Sequence, residues 1–162
     1  MGYTHYWKGH LPSSSSSDTS TLTTDISKLL TTTTIKISGP SGTGQPKITD
    51  TQIAFNGSAE DGEDEGHEPF ILDIGEDISF AFCKTARKGY DAVVGAVLLS
   101  NNNNDDDDDD DDDGGKDGKK ERKRFEVFSD GSWEEWGDAR ELYLKTFECE
   151  AEMPEGMTPS WR

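Results

Sequence analysis

The sequence predicts an α+β fold: a small, mostly antiparallel sheet with two main helices packed on one face, interrupted by low-complexity insertions. Three observations carry this. Short runs rich in aromatic and β-branched residues recur along the chain at strand length. Turn signals between them, above all Asn56-Gly57, favour hairpin pairing. A helical pattern follows each of the last two runs, at Tyr90–Leu99 and Ser132–Phe147.

The first run, Tyr3-Thr4-His5-Tyr6-Trp7, reads as a strand with Tyr3, His5 and Trp7 on one face. Residues 12–24 are mostly Ser and Thr and read as a disordered insertion, because they bury too little apolar surface to offset ordering. Leu22, Ile26, Leu29 and Leu30 have helical spacing, so Asp25–Leu30 predicts one or two helical turns, ended by the β-branched run Thr31–Thr34. Ile35–Ile37 predicts a short strand.

Gly39-Pro40-Ser41-Gly42-Thr43-Gly44 opens like a phosphate-binding loop, but Gln45 stands in place of the phosphate lysine and Pro46 in place of the metal-binding hydroxyl. It reads as a glycine-rich turn before extended chain. Gln52–Phe55 is a strand that Asn56-Gly57 should close. Ser58–Gly66 reads as an exposed acidic loop without calcium-loop spacing. A long hairpin with Phe70–Ile74 then holds His67 and Glu68 at one end.

The chain is organised around the stretch from Phe80 to Asp91. Phe80 and Phe82 share a strand face, and Cys83, Lys84, Thr85, Arg87 and Lys88 follow. A helix starting near Tyr90–Asp91 then takes up the apolar run Ala92–Leu99. Residues 100–124, Asn/Asp-rich and then basic, form a second disordered insertion. Phe125–Phe128 is the last strand, and Ser129-Asp130-Gly131 is its turn. Ser132 and Glu135 form a capping box for a helix to about Phe147, with Trp136, Arg140, Tyr143 and Phe147 as its core stripe, flanked by Trp133 and Leu144. Residues 1–150 thus form a single domain, and 151–162 a loose tail.

The net charge is −18, of which Asp105–Asp113 supplies nine. That acidity argues against duplex DNA as a partner, since duplex binders need a basic surface. No apolar run reaches the length of a membrane span. Cys83 and Cys149 are the two cysteines, and no secretory leader is legible at the start. The expectation is a soluble intracellular protein with free thiols, cytoplasmic rather than nuclear.

Five motifs stand out as a set: Met-Gly-Tyr-Thr-His-Tyr-Trp at the start, Ile53-Ala54-Phe55-Asn56-Gly57, His67-Glu68-x-Phe70, Phe82-Cys83-Lys84-Thr85-Ala86-Arg87-Lys88-x-Tyr90-Asp91, and Ser129-Asp130-Gly131-x-Trp133. Together they resemble a family of small uncharacterised proteins of tailed phages and filamentous fungi. The family more usually carries proline where Gly89 stands, which implies a turn before Tyr90. The resemblance implies no activity.

Three chemistries remain open. Lys84, Arg87 and Lys88 on a loop feeding a helix N-terminus suit a small anionic ligand or a protein partner, with Thr85, Tyr90 and Asp91 completing the site. Alternatively, the protein is a small hydrolase or transferase acting on a phosphorylated or anionic substrate, with His5 or His67 as acid/base and Cys83 beside them. A metal site of His5, His67 and Glu68 lacks any metal-ligand spacing, and no metal or other cofactor is expected.

Overall fold

The computed structural model describes residues 2–11, 18–102 and 124–157, with the side chains of residues 18–21 excepted. Strand β1 (Thr4–His10) is the centre of a three-stranded antiparallel sheet, between β6 (Asp77–Lys84) and β7 (Glu126–Ser129). Strand β4 (Gln52–Gly57) organises a second antiparallel group by pairing β2 (Ile37–Ser38), β3 (Lys47–Ile48) and β5 (Phe70–Asp73). The helices are α1 (Asp18–Thr32), α2 (Asp91–Asn102) and α3 (Gly137–Phe147). The α+β class and the antiparallel pairing are as the sequence predicts.

Alternation along β1 turns Tyr3, His5 and Trp7 into the protein, and each is almost fully buried. The same alternation puts Cys83 inside while Phe80 and Phe82 stay 62% and 49% exposed. Gly9 has φ of +118°, and a Cβ there would lie 2.2 Å from the Arg124 carbonyl oxygen, so only glycine lets β1 pass this close. Residues Val93–Asn101 of α2 are all buried, as the apolar run demands. Gly95 lets α2 approach α3, because a Cβ there would sit 2.7 Å from that of Ala139.

Several boundaries differ from the expectation. Helix α1 starts at Asp18, so residues 18–24 of the expected disordered insertion are helical, and Leu22, Ile26 and Leu29 anchor them in the core. Residues 12–17 lie outside the described set. Residues 100–102 continue α2 instead of opening the second insertion, Ser100 and Asn101 bonding back to the Val97 carbonyl; residues 103–123 lie outside the described set. Residues 151–157 are no loose tail: Pro154 and Met157 are buried, and Gly156 packs against Phe128. Residues 158–162 lie outside the described set.

Asn56-Gly57 continues β4 instead of turning. The buried Asn56 side chain accepts from the Gly57 and His67 amides and donates to the Pro40 and His67 carbonyls, tying the strand to the incoming chain. The capping box is half realised. Glu135 accepts from the Ser132 amide at 2.7 Å, and a 3₁₀ turn at Glu134–Trp136 precedes α3. Trp136 and Tyr143 of the predicted stripe are buried, but Leu144 is 44% exposed.

Candidate functional site

The stretch between β6 and α2 is where the elements meet. Thr85-Ala86-Arg87-Lys88 is a tight turn closed by the Lys88 amide on the Thr85 carbonyl at 3.0 Å. Its central residues Ala86 and Arg87 have φ of 52° and 58°. That is the geometry of a type I′ turn, which favours Asn and Gly. Two consecutive non-glycine residues in this region store strain, and the surrounding bonds hold it. The Thr85 amide reaches the Tyr3 carbonyl at 3.0 Å, and the Asp91 amide reaches Lys88 at 2.9 Å.

Behind the turn runs a polar chain through the interior. The His5 ring, 1% exposed, lies 2.6 Å through Nε2 from Asp91 Oδ1 and 2.9 Å through Nδ1 from Ser129 Oγ. Asp91 Oδ1 also accepts from the Thr85 hydroxyl. Ser129 Oγ accepts from the Trp136 indole N–H at 3.1 Å and from the Gly131 amide at 3.0 Å. Tyr3 and Trp136 meet the imidazole edge-on, with centroids at 5.1 and 4.8 Å. A buried polar chain of this kind is stable only when its members find partners, and these do.

Asp91 opens from this chain into a pocket of about 170 Å³, also lined by His5, Arg87, Lys88, Ala92 and Asp138. Arg87 stacks over the Tyr3 ring at 4.0 Å and pairs with Glu135 at 2.8 Å. Lys88 pairs with Asp64 at 3.1 Å. The Ser132 amide and Arg87 hold the Glu135 carboxyl below the usual carboxylate range, and Glu135 raises Arg87 in turn.

The structure divides the sequence-predicted site. Arg87, Lys88, Asp91 and His5 share the pocket. The Lys84 side chain is not among its lining; its backbone serves the junction with β5, where its carbonyl accepts from the Glu68 amide, His67 Nδ1 and the Tyr90 hydroxyl. Thr85 is buried and acts on Asp91, and Tyr90 is buried with its hydroxyl on the Glu68 carbonyl at 2.6 Å. Burial raises the Tyr90 phenol.

His5, His67 and Cys83 do not come together as hydrogen-bonded partners. His67 is exposed and bonded to backbone. The Cys83 thiol points to the Glu68 carbonyl at 3.5 Å, and burial pushes it up to about 12, so it is no thiolate nucleophile. Among the described residues no three of His, Cys, Asp and Glu form a metal-ligand group.

Sequence reasoning missed Ser129, Glu135 and Asp138 as parts of this region. Ser129 carries one signal in the sequence, its place in the Ser-Asp-Gly-x-Trp motif, although that pattern by itself predicts only a turn. Among the described residues no helix is long and apolar enough to cross a membrane. Comparison with protein-family models, with curated proteins and with solved structures finds no match.

Proposed function

We propose that the pocket at the start of α2 binds a small ligand with an anionic group, and that the protein is a binding module. The observation that carries this is the placement of Arg87 and Lys88 in one pocket by a strained turn, next to the first turn of a twelve-residue helix. Their present partners, Glu135 and Asp64, are exposed, and exposed ion pairs are worth only about 0–1 kcal/mol, so a ligand can displace them. Titration with propionate and inorganic phosphate, followed by amide chemical shifts, tests it. Shifts centred on residues 87–92 that weaken with salt and disappear in Arg87→Ala/Lys88→Ala are expected. Unmoved amides would remove the reading.

A second reading rests on the Ser129–His5–Asp91 chain. An imidazole between a hydroxyl and a carboxylate is an acid–base arrangement, as the hydrolase or transferase alternative needs. Ser129 does not line the pocket, which ranks this reading second. Turnover of a small phosphate or carboxylate ester that is lost in His5→Gln and kept in His67→Gln would reverse the ranking.

Kinship with the phage and fungal family is also proposed. Its support is that residues quoted from all five motifs, among them His5, Asn56, Glu68, Thr85 and Ser129, bond around residues 83–91 or to the chain that reaches them. An intracellular location is proposed on the two free thiols, Cys83 buried and Cys149 exposed.

A further inference from the structure

The outer face of the β6-β1-β7 sheet carries aromatics where water-facing positions ordinarily hold polar residues. Alternation buries His5, Trp7, Cys83 and Val127 on one face, which leaves Tyr6, Phe82 and Phe128 on the other. The register sets these three in a row, with Phe82 opposite Tyr6 on one side and Phe128 opposite Tyr6 on the other. Phe80 adds a fourth ring, 5.8 Å from Tyr6 and 6.0 Å from Phe82. Tyr6 and Phe128 are half-buried, and Phe80 and Phe82 are exposed. Single exposed apolar residues are ordinary, but four neighbouring rings on one face mark an interaction surface. The next row is charged at its two ends. Lys84 lies opposite Thr4 on the β6 side, and the Asp130 amide reaches the Thr4 carbonyl at 3.0 Å on the β7 side. Asp130 Oδ1 accepts from the Tyr6 hydroxyl, so this carboxylate stands on the aromatic face. Among the described residues neither Lys84 nor Asp130 has an ion-pair partner.

We propose that this face docks on the same face of a second copy of the chain, forming a weak dimer. The argument is that the patch complements itself. A two-fold axis between the faces, parallel to β1, sets β6 of each copy over β7 of the other. Tyr6 then meets Tyr6, Phe82 meets Phe128, and Lys84 meets Asp130 at both ends. Sheets packed face to face in near alignment lie about 10 Å apart. Lys8 is paired with Glu126 and His10 with Asp77, so the face is close to neutral although the chain carries −18. That local balance spares the contact most of the repulsion between two acidic chains. The face is small. Three strands about 4.8 Å apart and roughly seven residues long span roughly 300 Å², against about 800 Å² per partner in a stable complex. The dimer is therefore a transient one. The ligand pocket is lined by Tyr3 and His5 of the opposite face, so it stays open, and the dimer does not depend on its ligand.

Sedimentation equilibrium of the full chain from micromolar to millimolar concentration tests it. The mean mass should rise toward twice that of the chain, and a constant mass overturns the proposal. In a mixture of isotope-labelled and unlabelled chains, filtered nuclear Overhauser spectra should connect Phe82 of one copy with Phe128 of the other. Association through other residues overturns the proposal without any variant needing to fold. Phe80→Ser/Phe82→Ser, at two exposed positions, should abolish the rise in mass. Lys84→Glu, which sets two carboxylates together at each end, should weaken association roughly tenfold. Undiminished association of both variants overturns the proposal. A chain ending at Met157 separates the remaining occupant. If its Phe80 and Phe82 signals at low concentration differ from those of the full chain, residues 158–162 occupy the face and the dimer is overturned; unchanged signals leave the face to the second copy.

Discussion

His5 Nε2 lies 2.6 Å from Asp91 Oδ1, across 86 positions of sequence, and so joins the central strand β1 to the first residue of α2. Asp91 is therefore more than a helix-start residue. Its carboxylate completes a buried histidine on one side and lines the pocket on the other. Removing it leaves His5, 1% exposed, without the partner of one nitrogen. Asp91→Ala should cost about 2–3 kcal/mol, the range for a hydrogen bond to a charged group with a buried partner left over. Denaturant melts check this. A neutral result would mean that water reaches the imidazole.

The close crossing of α2 and α3 predicts a paired effect. Gly95→Ala puts a Cβ 2.7 Å from that of Ala139, and overpacking of this kind costs about 1–3 kcal/mol. Better helix propensity returns somewhat under 1 kcal/mol. Ala139→Gly in the same chain should relieve the clash. If the double variant is no more stable than Gly95→Ala alone, the two helices do not meet there.

The two thiols should separate by reactivity. Cys149 is exposed, whereas Cys83 is buried and its thiol is pushed up to about 12 from an ordinary 9.0. At pH 8 a thiol reagent should therefore label one cysteine in the native protein and both in denaturant. The linked stability effect has a definite sign. Raised in the folded state, Cys83 contributes stability that is full below about pH 9 and is lost as pH rises toward about 12. Tyr90, also raised by burial, acts in the same direction. Stability that held steady across that range would contradict the burial of both.

Ala86 pays for its left-handed backbone, and glycine does not. Ala86→Gly should be neutral or stabilising by up to about 1 kcal/mol, while loosening the turn that aims Arg87 and Lys88. Melting curves and the propionate titration report the two effects separately. Lost stability on this change would place Ala86 in an ordinary backbone region.

The last described segment is part of the core. Met157 is 5% exposed, and its amide bonds the Pro154 carbonyl at 3.0 Å. Met157→Ala should cost about 2–3 kcal/mol, at the lower end for a buried methionine. A neutral change would mean that this segment is only loosely held.

The sequence by itself determined the elements whose period is strong and local. The alternation in Tyr3–Trp7 set which face of β1 is buried, and the apolar run Ala92–Leu99 marked an interior element, which is the helix α2. It also determined that the chemistry would gather between Cys83 and Asp91, because cations, a hydroxyl and a thiol stand there together before a helix. Local pattern failed where distant partners decide. Asn56-Gly57 has a hairpin's composition, but four hydrogen bonds of the Asn56 side chain hold it within β4. Residues 18–24 have a disordered composition, but Leu22 and the leucines and isoleucine beyond it give that helix a core to dock on. Only tertiary structure could choose between His5 and His67, since His5 is buried against a carboxylate 86 positions away while His67 is exposed and bonded to a backbone carbonyl 17 positions away. It also withdrew Lys84 and Cys83 from the site: strand alternation sends adjacent side chains to opposite faces, however close they stand in sequence.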